Sequence, residues 1–180
     1  MQSISEMYAR RREPPASGRL GLPSRLRVSA CSSRHESTYI TDPPMFMDLR
    51  TLRLASKDAF KIAGITDPLK ELDVLELYSP SSWIELSMLE ALEVCEKGQI
   101  GELVENGVFS MDGELPVNPS GGVMCSNPIG ATAMLRVAEA AIQIRGQGGE
   151  RQLDGVKTAM ATGYGGNWWS DVMILKSDLP

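Results

Sequence analysis

The chain has 180 residues, of which 42% are hydrophobic and 23% charged, with a formal net charge of −5. That is the profile of one soluble globular domain long enough to bury a core without a disulfide or metal staple. No apolar stretch reaches the ~20 residues of a bilayer span, and the lone His35 excludes a multi-histidine metal site.

Cys31, Cys95 and Cys125 are odd in number and far apart, which argues for a reducing, cytoplasmic compartment rather than a secreted framework. An acidic chain is a poor nucleic-acid binder overall, yet its charge is unevenly spread. Residues up to His35 carry a net +5 and the remainder −10.

Residues 1 to 22 combine Arg10-Arg11-Arg12 with Pro14, Pro15, Gly18 and Gly21. Without an apolar period they read as a basic flexible tail or linker, ahead of a domain covering 23–180. From Arg25, Leu26, Val28 and Ala30 alternate with Arg27 and Ser29, as in a strand with one buried face. Asp48 to Ala63 spaces leucines and alanines by three and four and stops at Gly64, an amphipathic helix with a glycine terminator. Leu72 to Leu77 is a short β-leaning run, and Ser82 to Cys95 is a second helix.

Residues 98 to 117 are turn-rich and acidic. They lead into the glycine loop Asn118-Pro-Ser-Gly-Gly122 and then Asn127-Pro128, which reads as the cap and first residue of a long helix stopped at Gly146. Val156 to Ala161 and Val172 to Leu175 read as an antiparallel pair joined through Gly163-Tyr-Gly-Gly166. The order β-α-β-α-α-β-β places the chain in the α/β class with a mixed sheet and helices packed on it.

Three segments sit where strands or helices begin or end, the place where open α/β sheets hold ligands. They are Glu76-Leu-Tyr78-Ser-Pro-Ser-Ser82, Gly121-Gly122-Val-Met-Cys125-Ser-Asn127-Pro128 and Thr162-Gly-Tyr164-Gly-Gly166. By residue type alone, Asn127 is a helix cap and Tyr78 an ordinary strand-end tyrosine. Tyr164, flanked by glycines, reads as a placed side chain. Cys125 tempts as a nucleophile, but buried small cysteines are commoner and no His or Lys lies nearby in sequence. His35 falls in a polar loop, and Trp168-Trp169 alternate on a strand.

The string NPSGGVMCSNPIGATAMLRVAEAAIQIRGQGGERQ closely resembles the C-terminal half of the thiolase superfamily, with its His/Asn-Pro-Ile-Gly-Ala-Thr helix start. DVLELYSPSSWIELSMLEALEVC resembles the family's strand-turn-helix bearing an oxyanion-hole motif, and ATGYGGNWWSDVMIL its final glycine turn. The chain departs from the common pattern at three positions. Tyr78 replaces His or Asn, Asn127 replaces His, and Tyr164 stands where biosynthetic thiolases have a Cys. This set is similar to the lipid-transfer-type, steroid side-chain aldolase-like subgroup.

That resemblance implies catalytic Tyr78, Asn127 and Tyr164, with Asn118, Ser120, Gly121, Gly122, Gly165 and Gly166 lining the substrate and CoA site. It implies a coenzyme A thioester as substrate, no tightly bound cofactor, no metal, no nucleic acid and no membrane span. The reaction is either acyl transfer, as in an acetyl-CoA acetyltransferase, or retro-aldol cleavage of a β-hydroxyacyl-CoA, in lipid metabolism or steroid degradation. The family's N-terminal half, which carries the nucleophilic cysteine, has no counterpart here. The expectation is a homo- or hetero-oligomer with such a half, to which the subgroup would add an OB-fold zinc-ribbon protein, or else a non-catalytic assembly or binding subunit or a truncated pseudoenzyme of the same fold. Residues 129 to 145 are apolar around much of the helix, so that helix is expected to be buried on most sides.

Overall fold

The computed structural model describes residues 26–36, 49–166 and 168–177; the basic stretch 1–22, the expected domain start at 23 and Asp48 lie outside them. The elements are β1 (Leu26–His35), α1 (Arg50–Ala63), α2 (Pro68–Glu71), β2 (Val74–Glu76), α3 (Ser82–Ala91), α4 (Ile100–Glu105), α5 (Gly122–Cys125), α6 (Thr132–Ile144), β3 (Thr158–Tyr164) and β4 (Trp169–Ser177). Short 3₁₀ turns span Ile129–Ala131 and Gly149–Arg151. Among the described residues no helix is long and apolar enough to cross a membrane.

Four strands form one mixed sheet in the order β1-β4-β3-β2. β4 runs antiparallel to both β1 and β3, and β2 runs parallel to β3. The carboxyl ends of β1, β2 and β3 therefore lie at one end of the sheet. Alternation along the strands divides the core in two. Met160, Val172 and Ile174 face the cluster containing α1 and α3, while Val74, Ala159, Ala161 and Leu175 face α6.

α1 forms because Leu52, Ala55, Ala59 and Phe60 recur on one face, and all four are buried. It stops at Gly64, which takes the left-handed conformation at φ 72°. The amide of Ile65 then returns to the carbonyl of Phe60 at 2.9 Å, closing the helix in a Schellman-type turn. α3 starts because the Ser81 hydroxyl accepts from the amide of Ile84 at 3.3 Å. It ends at Ala91, short of the expected Cys95.

Three expectations change. In β1 only Ala30 of the alternating residues is buried, and Val28 is 56% exposed. The register slips between Val28 and Ala30, and such a bulge turns the strand's faces. Asn127-Pro128 opens a 3₁₀ turn rather than an α-helix; the α-helix begins at Thr132. The reason is Ile129, which takes φ 46° and cannot continue a right-handed helix. Finally, α6 is not buried on most sides: Met134 is 68% exposed, and Leu135 and Ala138 also face outward.

His35 is the last residue of β1 rather than part of a loop, and its ring stacks on Trp169 with centroids 6.4 Å apart. Trp169 is exposed at the start of β4, beside a half-buried Trp168.

Candidate active site

β2 has only three paired residues, yet the chain beyond it is held as firmly as a strand. The amide of Leu77 donates to Asn118 Oδ1 at 2.7 Å, and that of Tyr78 to Thr162 Oγ1 at 2.8 Å. Two side chains on opposite neighbours thus replace the missing ladder carbonyls. Tyr78 is delivered to the carboxyl end of the sheet with its backbone fixed.

Asn118 serves as the hub of its loop. Its amide donates to the Leu75 carbonyl at 2.7 Å, and its Nδ2 donates to Glu85 Oε2 at 2.6 Å and to Ser79 Oγ at 3.1 Å. The residue sits at φ 50°, a conformation that asparagine tolerates better than most. Gly121 and Gly122 follow at φ 87° and 61°. Two successive left-handed residues require glycine here, and a Cβ on Gly122 would come to 3.0 Å of the Asn118 side chain.

Beneath this loop lies a buried charge pair. Arg136 Nη1 donates to Glu76 Oε2 at 3.0 Å, with side-chain exposures of 4% and 0%. Ser120 ties the pair to the loop, donating from Oγ to Glu76 Oε2 at 2.7 Å and accepting from Arg136 Nη1 at 2.8 Å and from the Gly122 amide at 3.1 Å. Burial pushes the Glu76 carboxyl up, against the opposing pulls of Ser120 and Arg136. Arg136 Nε is the one buried side-chain polar atom among the described residues without a hydrogen-bond partner. Ser120, taken from the sequence as a loop-lining residue, is instead half-buried and bonded inward.

Asn127 lies across the loop, at the mouth of α6. Its Oδ1 accepts from Thr132 Oγ1 at 2.8 Å, from the Ile129 amide at 3.3 Å and from the Tyr78 hydroxyl at 3.4 Å. A β-branched residue at positive φ costs on the order of 1–3 kcal/mol, and Ile129 adopts that conformation where its amide turns back on Asn127. The ring of Tyr164, the last residue of β3, lies 6.3 Å from that of Tyr78 at 48°. Burial raises the Tyr164 phenol above its ordinary value, so it stays protonated at neutral pH.

The fold therefore gathers Tyr78, Asn127 and Tyr164, which are far apart in sequence, at one end of the sheet. Gly166 turns the chain at φ 65°, and a Cβ on Gly165 would overlap the Trp169 indole. Cys125 is exposed at the end of α5, not buried. Sequence reasoning missed Thr132, Thr162, Glu76, Glu85 and Arg136. Each acts through a partner tens of residues away or through a turn whose shape no periodicity reveals, although a threonine five residues after Asn127 is a visible signal in hindsight.

This arrangement, a mixed sheet with a glycine loop and an Asn-Pro helix entrance at its carboxyl end, matches the family described as thiolase C-terminal domain-like over residues 32–177. The chain belongs to that family. It is 37% identical over 113 residues to an acetyl-CoA acetyltransferase of Methanothermobacter thermautotrophicus, a stretch covering 62% of this chain and 29% of that protein. It is 37% identical over 112 residues to sterol carrier protein 2 of Homo sapiens, covering 62% of this chain and 20% of that one. The chain thus spans less than a third of the length of these relatives. A solved Ltp2-ChsH2(DUF35) aldolase superposes with a TM-score of 0.71 at 19% identity, over 86% of this chain and 40% of that one, a likeness of fold.

Proposed function

We propose that the chain is the C-terminal half of a thiolase-like enzyme that breaks a carbon–carbon bond in a β-hydroxyacyl-CoA by retro-aldol cleavage. The observation that carries this reading is the convergence of two phenols and a donor amide, Tyr78, Tyr164 and Asn127. Claisen chemistry needs a thiolate and a second acid/base near neutrality, whereas these three groups suit a reaction without an acyl-enzyme. A base removes the proton of the β-hydroxyl, the Cα–Cβ bond breaks, and its electron pair becomes the thioester enolate. Asn127 Nδ2 donates to the enolate oxygen, and a phenol returns a proton to Cα. Tyr164, kept protonated by burial, suits the donor role. In this reading the Asn118-to-Gly122 loop and Gly165-Gly166 line the substrate and CoA cleft.

Relatives that include an acetyl-CoA acetyltransferase support a coenzyme A thioester as substrate. The neighbour named as an aldolase with a DUF35 component supports a second protein as partner, which the resemblance to the aldolase-like subgroup would make an OB-fold zinc-ribbon chain. The rest of the cleft comes from a thiolase N-terminal half, on the same polypeptide or another. Lipid or steroid degradation is the metabolic setting this reading favours.

In the complemented enzyme, Tyr164→Phe is expected to lower cleavage of a β-hydroxyacyl-CoA by ~10²-fold or more; an unchanged rate removes Tyr164 from the mechanism. A stable acyl adduct after incubation with a 3-ketoacyl-CoA replaces retro-aldol cleavage with acyl transfer. The open apolar face of α6 favours one further reading, a non-catalytic assembly subunit. A stoichiometric complex with the complementing half that turns over no acyl-CoA would select it.

A further inference from the structure

A carboxamide has two ends of opposite chemistry, and only its amino end can serve a developing oxyanion. At Asn127 the surroundings decide which end is which. The Ile129 backbone amide can only donate, so the atom 3.3 Å away is the carbonyl oxygen, and turning the group over would set its own N–H against that amide. Thr132 Oγ1, fully buried at 0% exposure, reaches the same oxygen at 2.8 Å, the shortest of its three contacts. The backbone amide is part of a strained turn and the Tyr78 hydroxyl stands at 3.4 Å, so Thr132 is the rigid member of the set. Among the described residues Asn127 Nδ2 meets no hydrogen-bond acceptor.

We infer that Thr132 is a positioning residue: its buried hydroxyl locks the Asn127 carboxamide with the carbonyl inward and both amino protons toward the cleft. The inference deepens the proposed function, resting on Asn127 as donor to the enolate oxygen. It also explains why a polar residue occupies the first, buried position of α6. The hydroxyl is the side chain that holds a neighbour's orientation without itself reaching substrate. A group held this way needs no reorganisation as charge develops, which is where such donors gain their effect.

The test uses the full chain labelled with [15N]asparagine, whose four side-chain amide pairs arise from Asn106, Asn118, Asn127 and Asn167. Asn127→Asp identifies the relevant pair by its loss. Thr132→Val keeps the shape and removes the hydroxyl; the Asn127 pair is expected to move and to exchange its two proton sites faster. The Asn118 pair, which is bonded elsewhere, stays put and reports an intact fold, and Thr132→Ser restores the original spectrum. An unmoved Asn127 pair in Thr132→Val overturns the inference, and Thr132→Ala gives the same reading if the valine variant fails to fold. In the complemented enzyme Thr132→Val is expected to lower kcat by about 10- to 100-fold with little change in KM, and Thr132→Ser to recover it. A change confined to KM would also overturn it. A spectrum that responds as expected in a chain with no turnover on any acyl-CoA would sink the proposed function and leave the positioning role standing.

Discussion

Helices α1 and α6 cover opposite faces of the same sheet, and they differ in what they bury. α1 turns Leu52, Ala55, Ala59 and Phe60 inward together with the small polar Thr51 and Ser56, and Arg50, Lys57, Lys61 and Ile62 outward. α6 buries Thr132, Arg136 and Gln143 beside Ala140 and Ile144, and turns Met134, Leu135 and Ala138 outward, with Ile129 76% exposed just before it. The inward polar groups are bonded. Arg136 holds Glu76, and Gln143 receives the Leu153 amide at 2.9 Å and donates to the Arg151 carbonyl at 2.8 Å. Burial of apolar area seats α1 for the most part, with one buried hydroxyl pair, Thr51 and Ser170 at 3.0 Å, tying it to β4. Directional bonds seat α6, so its apolar stripe remains available to a second layer.

The two modes of burial are separable by mutation. Arg136→Met leaves Glu76 buried without its cation and should cost about 3–5 kcal/mol in chemical denaturation, whereas Glu76→Gln with Arg136→Met should recover most of that. Because the folded carboxyl then titrates even higher above its unfolded value, the deficit should shrink as pH falls and grow as pH rises through the raised value. A deficit independent of pH would mean that the charge pair does not seat α6. Leu52→Ala in α1 should cost about 3 kcal/mol by the same measurement and without pH dependence in that range. Gly64→Ala should cost about 1 kcal/mol, since alanine at φ 72° is strained where nothing else crowds it. Met134→Glu should change the stability of the chain by less than about 0.5 kcal/mol, yet abolish co-purification with a complementing half. A large loss of stability there would show that the stripe belongs to the core of this chain after all.

What the sequence disclosed divides along the same line. The apolar period of α1, its glycine stop, the antiparallel β3-β4 pair and the mixed sheet were readable, because burial imposes periods of 3.6 and 2 on nearby residues. Composition misled at α6: its many alanines and aliphatics predicted burial on most sides, while the residues that face the sheet include an arginine, a glutamine and a threonine beside Ala140 and Ile144. Arg136 pairs with a carboxylate 60 residues away and Ser120 with the same one 44 residues away, and no local pattern encodes such partners. Val28 was misread because one slipped residue reverses the alternation that identifies a buried face. Tyr78 reads as a strand-end residue, Asn127 as a helix cap and Tyr164 as a side chain placed by a glycine turn, and the resemblance groups them. The hydroxyl and backbone donors that orient Asn127 became visible only once Ile129 was seen to leave the helical path.

The slip in β1 bears on how this sheet can grow. Among the described residues β1 is the outermost strand on its side of the sheet, and an outermost strand offers unpaired backbone groups to any extended peptide that can match its spacing. A one-residue irregularity midway, with Arg27 and Arg34 to either side, gives such a peptide no continuous register to follow. Lateral addition of a strand is thereby discouraged at that edge, whereas a contact made by side chains on the α6 side would be indifferent to strand register.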